Sequence, residues 1–393
     1  MKIVVLDISS RNSVLYNPCL CNHLGEIDSQ ENTVYLLSIT DYGNRHFYKH
    51  FKLLRLLPEK YDGSSSLVKK AVRAIEVFVN YIIVFFFILF KQPDVLHIQW
   101  LPLVDICSIE FYFLLLFKCI SKVNIILTMH NIYPHRLPIN KRQKYKKRFL
   151  KVASKIDGFM VHLLSAKKEF TSEYGIPEEI VYVAYHGIFT PNEYTPSTQK
   201  NERFTMVMYG YQNRYKGTDI LLEALKLLPF DVLQQTETYI LGKTENGLYE
   251  KYENDLDRLH IKWINKYVSD DLLYNTIGKA DLILLPYRKI SQSGVLLLAI
   301  SYLKPILTSD LPSFKETLEG YDSSMFFESE NPFSLAIKIG QYVEGSFDVS
   351  QMLKVLKALN VKYSWRSTAI ATMEAYKVTS LIKCKSGIYE FKN

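Results

Sequence analysis

Short apolar and β-branched runs alternate along this chain with longer stretches whose apolar positions recur at helical spacing. In the first half the runs cover 2–6, 33–38, 94–99, 124–128, 158–161 and 180–184, and the helical stretches include 67–90, 109–121 and 141–154. In the second half the runs cover 204–208, 238–241, 261–264, 281–285, 306–308 and 325–327. Strands separated by helices predict right-handed βαβ units on parallel sheets. At 393 residues the chain exceeds one ordinary core, and two such series predict two domains. The expected architecture is α/β: two tandem Rossmann-like, doubly wound domains facing a cleft. Residues 187–200, with Pro191, Pro196 and no periodicity, are the best linker, which sets the domains at 1–190 and 197–362. The remainder, 363–393, reads as a helix over 363–377, expected to pack back on the first domain, and a tail over 384–393.

In doubly wound sheets ligands sit beyond the carboxyl ends of the strands. That rule gathers residues 7–12, Trp100, His130, Asn131, His186 and Gly187 on one rim. The most apolar stretch, 77–90 (VFVNYIIVFFFILF), falls short of the ~20 residues a spanning helix needs. It contains Asn80 and is bounded by Glu76 and Lys91, so a buried or membrane-dipping helix is expected. A hydrophobic share of 48% with 22% charged residues is globular. Five cysteines without a C-x-x-C pair give neither a disulfide framework nor a zinc site, and a reduced, cytoplasmic protein is expected. Met1 leads straight into KIVVLD, which reads as a strand and not a signal peptide.

The net charge of +8 asks for an acidic partner. The basic helix 141–155, with Phe149, Leu150 and Val152 on one face, fits docking on the inner, anionic membrane surface, or else a solvated face. No nucleic-acid-binding module is recognisable, and no nucleic-acid partner is expected.

The best anion site lies within 281–310. A strand over 281–285 ends at Pro286, a polar loop follows, and Ser293 and Gly294 open an apolar helix with Ser293 as N-cap. The first turn of such a helix has free N–H groups and the positive end of the dipole, Gly294 holds no side chain in the way, and Arg288 and Lys289 add charge. A plain strand–loop–helix crossover uses the same cap. In 208–217 (MYGYQNRYKG), Gly210 permits a tight turn and Arg214 and Lys216 supply cations suited to a leaving diphosphate, the alternative being solvated surface charges. His130, just past the strand 124–128 and close to His135, is placed to bond a ligand hydroxyl or carry a proton, if it is not tied to a loop carbonyl. Asp255-x-Asp257 sits in a helical run, 248–259, and is not expected to bind metal. There is no Walker A loop, no G-x-G-x-x-G and no G-x-S-x-G, which argues against kinase, dinucleotide dehydrogenase and α/β-hydrolase.

Five segments taken together, DVLHIQW at 94–100, TMHNIYPH at 128–135, GYQNRYKG at 210–217, ADLILLPYRKISQSG at 280–294 and KPILTSDLP at 304–312, resemble the retaining GT-B glycosyltransferases of the group 1, or family 4, type. The likeness leans to the branch that builds bacterial polysaccharides. It implies transfer of a sugar from a UDP- or GDP-sugar to a saccharide or lipid-linked acceptor, with retention, no metal and no cofactor. It implies that His130 reaches the donor sugar, that Arg214 and Lys216 hold the diphosphate, and that Tyr287, Gln292, Ser293, Gly294 and Val295 line the nucleotide side. Trp100, Asn131 and His135 are the acceptor-side candidates. The chain departs from the family where paired glutamates eight positions apart are usual: Ile290 and Leu298, or Ser291 and Ala299, stand there. Tyr211 occupies the place of the usual arginine, for which Arg214 stands in. A nucleotide-sugar epimerase on the same architecture, or a non-catalytic subunit binding nucleotide or membrane, are the alternatives.

Overall fold

The computed structural model describes residues 1–8, 15–27, 29–43, 45–57, 67–134, 137–189, 202–245, 247–290 and 292–386. The chain forms two compact units, Met1–Gly187 with Trp365–Asn393, and Ile188–Ser364. The first unit is a seven-stranded sheet of β1 (Lys2–Asp7), β2 (Thr33–Ser38), β3 (Lys49–Lys52), β4 (Val95–Ile98), β5 (Asn124–Thr128), β6 (Gly158–Val161) and β7 (Val181–Val183). Its order is β3-β2-β1-β4-β5-β6-β7, and all pairs are parallel. The second unit holds β8 (Phe204–Tyr209), β9 (Thr236–Leu241), β10 (Ile261–Ile264), β11 (Leu282–Leu285), β12 (Ile306–Ser309) and β13 (Phe326–Phe327). Its order, β10-β9-β8-β11-β12-β13, repeats the same winding with parallel pairs throughout. Strands covered on both faces must be apolar along their length, and β4, β5, β6, β11 and β12 are buried at every position. In each sheet the winding reverses between the first and fourth strands, so the switch points lie at β1/β4 and at β8/β11.

Two departures from the sequence reading have plain causes. β3 was not foreseen: KHFK lacks an apolar run and lies at the sheet edge, where burial does not demand one. The helix expected over 67–90 is found: it spans 25 residues, Leu67–Lys91, roughly 37 Å, with the apolar stretch 77–90 in its second half. By length and composition it is apolar enough to cross a membrane, with mean hydropathy 2.2 over an 18-residue window within Val68–Lys91. Yet its Val77, Tyr81, Val84 and Ile88 are completely buried in the first core. Asn80 clamps the Leu54 backbone in both directions (2.8 and 2.9 Å), and Glu76 accepts from Leu56 N–H at 2.8 Å and pairs with Arg73. Finally, the run 248–259 is not one helix: it is helical only over Leu248–Tyr252, with a tight turn at Glu253–Asp255. Asp255 there pairs with Lys226 (3.0 Å) and Arg258 (2.8 Å).

The C-terminal helix Trp365–Ser386 belongs to the first unit and takes in Cys384 of the expected tail. Tyr376 meets buried His97 at 2.6 Å, Asn124 donates to Ser380 Oγ at 2.8 Å, and Thr368 donates to the Tyr185 carbonyl at 2.7 Å. Most of the expected linker, 190–200, lies outside the described residues.

Candidate functional site

In the first unit, the pleat of three neighbouring strands builds a row of side chains. Thr128 pairs with Met160, and Met160 with Tyr182. Two residues further on, past the strand ends, the same register brings His130, His162 and Ala184 side by side. His162 Nδ1 donates to the Ala184 carbonyl at 2.8 Å, which leaves its Nε2 as an acceptor. His130 Nδ1, 3.2 Å away, is therefore the donor to it, and His130 Nε2 keeps its lone pair. The Gln99 amide meets that Nε2 at 3.2 Å; turned so that its nitrogen faces the ring, it also gives the otherwise unpartnered Gln99 Nε2 a hydrogen bond.

The surroundings keep this row neutral. The Tyr16 ring lies 5.2 Å from His130, 5.5 Å from His162 and 4.9 Å from His186, and its buried hydroxyl has no hydrogen-bond partner. Burial lowers the pKa of His162 to about 4, and of His97 and His186 to about 3. His130 is held well below its ordinary value, by burial first and by the other histidines second. Trp100 stacks on His130 (4.7 Å, 18° between planes) while remaining 41% exposed. A cavity of about 170 Å³ opens there, lined by Trp100, His130, Asn131, Tyr145 and Phe149 among others. The fold thus brings three candidates, Trp100, His130 and Asn131, to one hollow. His135 lies outside the described residues, as do positions 9–12 of the expected rim.

In the second unit, the loop after β8 folds back on itself. Gly210 has φ +97, and Gly217, at φ +70, packs so tightly on the Pro286 carbonyl that a side chain there has no room. Gln212, fully buried, pins the loop by donating to the Gly210 carbonyl (2.7 Å) and accepting from Thr218 (2.8 Å). Lys216 is thereby turned inward. It is 5% exposed, donates to the Tyr209 carbonyl at 3.1 Å and lies 5.3 Å from the centre of the Tyr287 ring. Its ammonium occupies the space a Gly210 side chain would fill, with Val295 against the same point. With no carboxylate beside it among the described residues, burial lowers its pKa to about 8.

The helix Gly294–Ser301 begins at this spot. Ser293 Oγ accepts from Leu296 N–H at 3.1 Å, as a cap should, and Tyr209 hydroxyl donates to the Val295 carbonyl at 2.6 Å. Among the described residues nothing lies within 4 Å of the position of a Gly294 side chain, so they leave the first turn open. Tyr287 is buried, which raises its pKa, and Gln292 is half-buried beside the cap.

Two cations behave otherwise than the sequence suggests. Arg288 is not available to an anion: it grips Asp219 through two bonds (2.8 and 2.9 Å), reaches Glu330 at 3.3 Å and donates to the Arg214 carbonyl at 2.8 Å. It fastens the loop that carries Lys216. Arg214 is held through its backbone, while its side chain is exposed and is not drawn into the contacts around Lys216. The sequence reading missed His162, Tyr16, Gln99 and Gln212; the signal for His162 was a histidine directly after an apolar strand, as His130 follows its own strand by two residues. Among the described residues no group of three His, Cys, Asp or Glu side chains is arranged to hold a metal ion.

A family model described as glycosyl transferases group 1 matches residues 203–344. The matched segment lies within the second unit. Across both units, the chain is similar to a glycosyltransferase from Rickettsia africae, at 14% identity and TM-score 0.66, over 96% of this chain and 98% of that one. It is similar to Anabaena HepE, solved in complex with UDP, at 14% identity and TM-score 0.65, over 96% and 100%. It is also similar to sucrose-phosphate synthase from Thermosynechococcus elongatus, at 11% identity and TM-score 0.66, over 98% and 100%. The architecture is therefore the GT-B fold, two Rossmann-like domains in tandem. No curated protein matches the chain by sequence.

Proposed function

We propose that this GT-B chain transfers a sugar from a nucleoside diphosphate donor to a hydroxyl of a saccharide or lipid-linked acceptor, with retention at the anomeric carbon and without a metal, in bacterial polysaccharide synthesis at the inner face of the membrane. The observation that carries the reading is the buried Lys216 ammonium, without a carboxylate partner among the described residues, beside the open first turn of the helix Gly294–Ser301. A diphosphate supplies the charge this ammonium lacks, and the N–H groups of the first turn add donors. The complexes of HepE with UDP and with UDP-glucose support a nucleotide-sugar donor for the shared fold.

In the proposed step the acceptor oxygen forms a bond to the anomeric carbon as the bond from that carbon to the phosphate oxygen breaks. The electron pair leaves with the diphosphate, stabilised by Lys216 and the helix start, with Arg214 at the solvent side. The acceptor proton passes to a phosphate oxygen. His130, fixed by Gln99 and His162, orients the sugar side of the hollow, and the exposed face of Trp100 offers a platform for a sugar ring. Tyr287 and Val295 wall the nucleotide side.

The test is a thermal-shift panel of UDP, GDP, ADP and their sugars on the full chain. A ligand bound only by the folded state raises the melting temperature, by an amount that grows with its concentration over Kd. One nucleotide and its sugar are expected to do so at millimolar concentration. If none does, the donor-site reading fails. Nucleotide release that needs no acceptor would favour the epimerase.

A further inference from the structure

We propose that the outer faces of the helices Leu67–Lys91 and Glu110–Ile120, together with the lysines of the helix Arg142–Ala153, form a surface that docks on an anionic lipid bilayer. The helix Leu67–Lys91 is apolar on two opposite sides. One side is the buried stripe Val77, Tyr81, Val84 and Ile88. The other repeats at helical spacing through Ile75, Phe78, Ile82, Phe86 and Leu89 to Phe90, all exposed, with Phe86 at 49% and Phe90 at 76%. The neighbouring helix continues the patch with Tyr112, Leu115 and Leu116, and the rings of Phe78 and Phe113 join the two helices at 5.5 Å. An exposed apolar surface of this extent marks an interaction site.

Charge decides the occupant. The three helices contain two acidic side chains, Glu76 and Glu110, and both are completely buried. Their outer faces are thus apolar and cationic only. Lys144, Lys147 and Lys151 are exposed and lie on one face of the basic helix. Lys151 Nζ sits 5.1 Å from the ring centres of Phe111 and Tyr112, and Lys155 Nζ sits 5.3 Å from that of Phe111. An apolar field edged by aromatic rings and lysines matches the acyl, interfacial and anionic headgroup layers in turn. A two-fold dimer through the same patch would instead press a cation-edged surface, without one exposed acid on its helices, against its own copy. The helix lies along the bilayer and does not cross it, because its inner stripe and the Asn80 clamp belong to the core.

The inference is independent of the catalytic reading, since it is tested by binding alone. The full chain is sedimented with vesicles of phosphatidylcholine, with and without one part in three of phosphatidylglycerol. We expect binding at least about tenfold stronger to the anionic vesicles. Phe86→Ser with Phe90→Ser is expected to lower that binding about tenfold or more. Lys144→Glu with Lys147→Glu and Lys151→Glu should abolish the preference for anionic lipid, while Lys266→Glu with Lys354→Glu and Lys357→Glu, exposed lysines of the second unit, should preserve most of it. Circular dichroism melting checks that each variant folds. Failure of the wild type to sediment, equal losses for both lysine sets, or sedimentation of the free chain as a dimer that the phenylalanine variant dissolves would overturn the proposal.

Discussion

The two units wind their sheets in the same order, yet the carboxyl ends of their strands carry opposite chemistry. In the first, side chains make the site: His130 and His162 stand in register on adjacent strands, Tyr16 and Trp100 enclose them, and burial keeps the histidines neutral. In the second, backbone makes the site. Glycines at 210, 217 and 294 clear space, and one buried ammonium faces an open helix start. Neutral imidazole and an exposed indole suit the hydroxyls and ring faces of a sugar, whereas a cation and bare amides suit phosphate. The same fold is thus dressed with different chemistry at its two switch points.

The sharpest way to separate the units is acid. His97, His162 and His186 have folded pKa values of about 3 to 4, below the ordinary 6.5, so the unfolded chain binds their protons first as pH falls. Their contribution to stability is complete above pH 6.5 and is lost as pH descends toward 4. Each such group adds up to about 1.4 kcal/mol per pH unit near pH 5, and buried Glu110, whose pKa is raised to about 8, offsets part of the sum. Eight of the nine histidines lie in the first unit, so hydrogen exchange between pH 7 and 4.5 should show its protection collapsing first. Simultaneous loss in both units would break the comparison.

How much of this the sequence disclosed follows the same division. The central strands were legible because parallel strands buried on both faces are written as unbroken apolar runs, and the Ser293 cap was legible because its partner, Leu296, is three residues away. β3 was not, since an edge strand of KHFK has no such run. Lys216 and Gly210 could be singled out within one loop, but the inward turn of that lysine depends on Gln212 and on Pro286 far along the chain. The role of Arg288 was misjudged for the same reason: its partners Asp219 and Glu330 are distant in sequence. The His130–His162 bond requires a strand register, which no local pattern specifies.

A smaller effect probes the side-chain site. His162 is a positioning residue, because it touches His130 and not the cavity's occupant. His162→Ala is expected to reduce turnover about tenfold while leaving nucleotide affinity unchanged. The ¹⁵N shifts of His130 should then move from a pure Nδ1–H tautomer toward a mixture, a change that a merely structural loss would not produce.

The claim on which the account rests is that Lys216, cationic and without a carboxylate partner among the described residues, holds the donor's diphosphate. UDP affinity, with GDP and ADP in parallel, is to be measured by calorimetry from pH 6.5 to 9.5 for the wild type and for Lys216→Met. Because the free ammonium titrates at about 8 and only its protonated form attracts the diphosphate, wild-type affinity should weaken as pH climbs past 8, by up to about tenfold per unit. The variant should bind about 10- to 100-fold more weakly at pH 7 and respond little to pH over that range. A variant that binds as tightly as the wild type, with the same pH profile, would contradict the account.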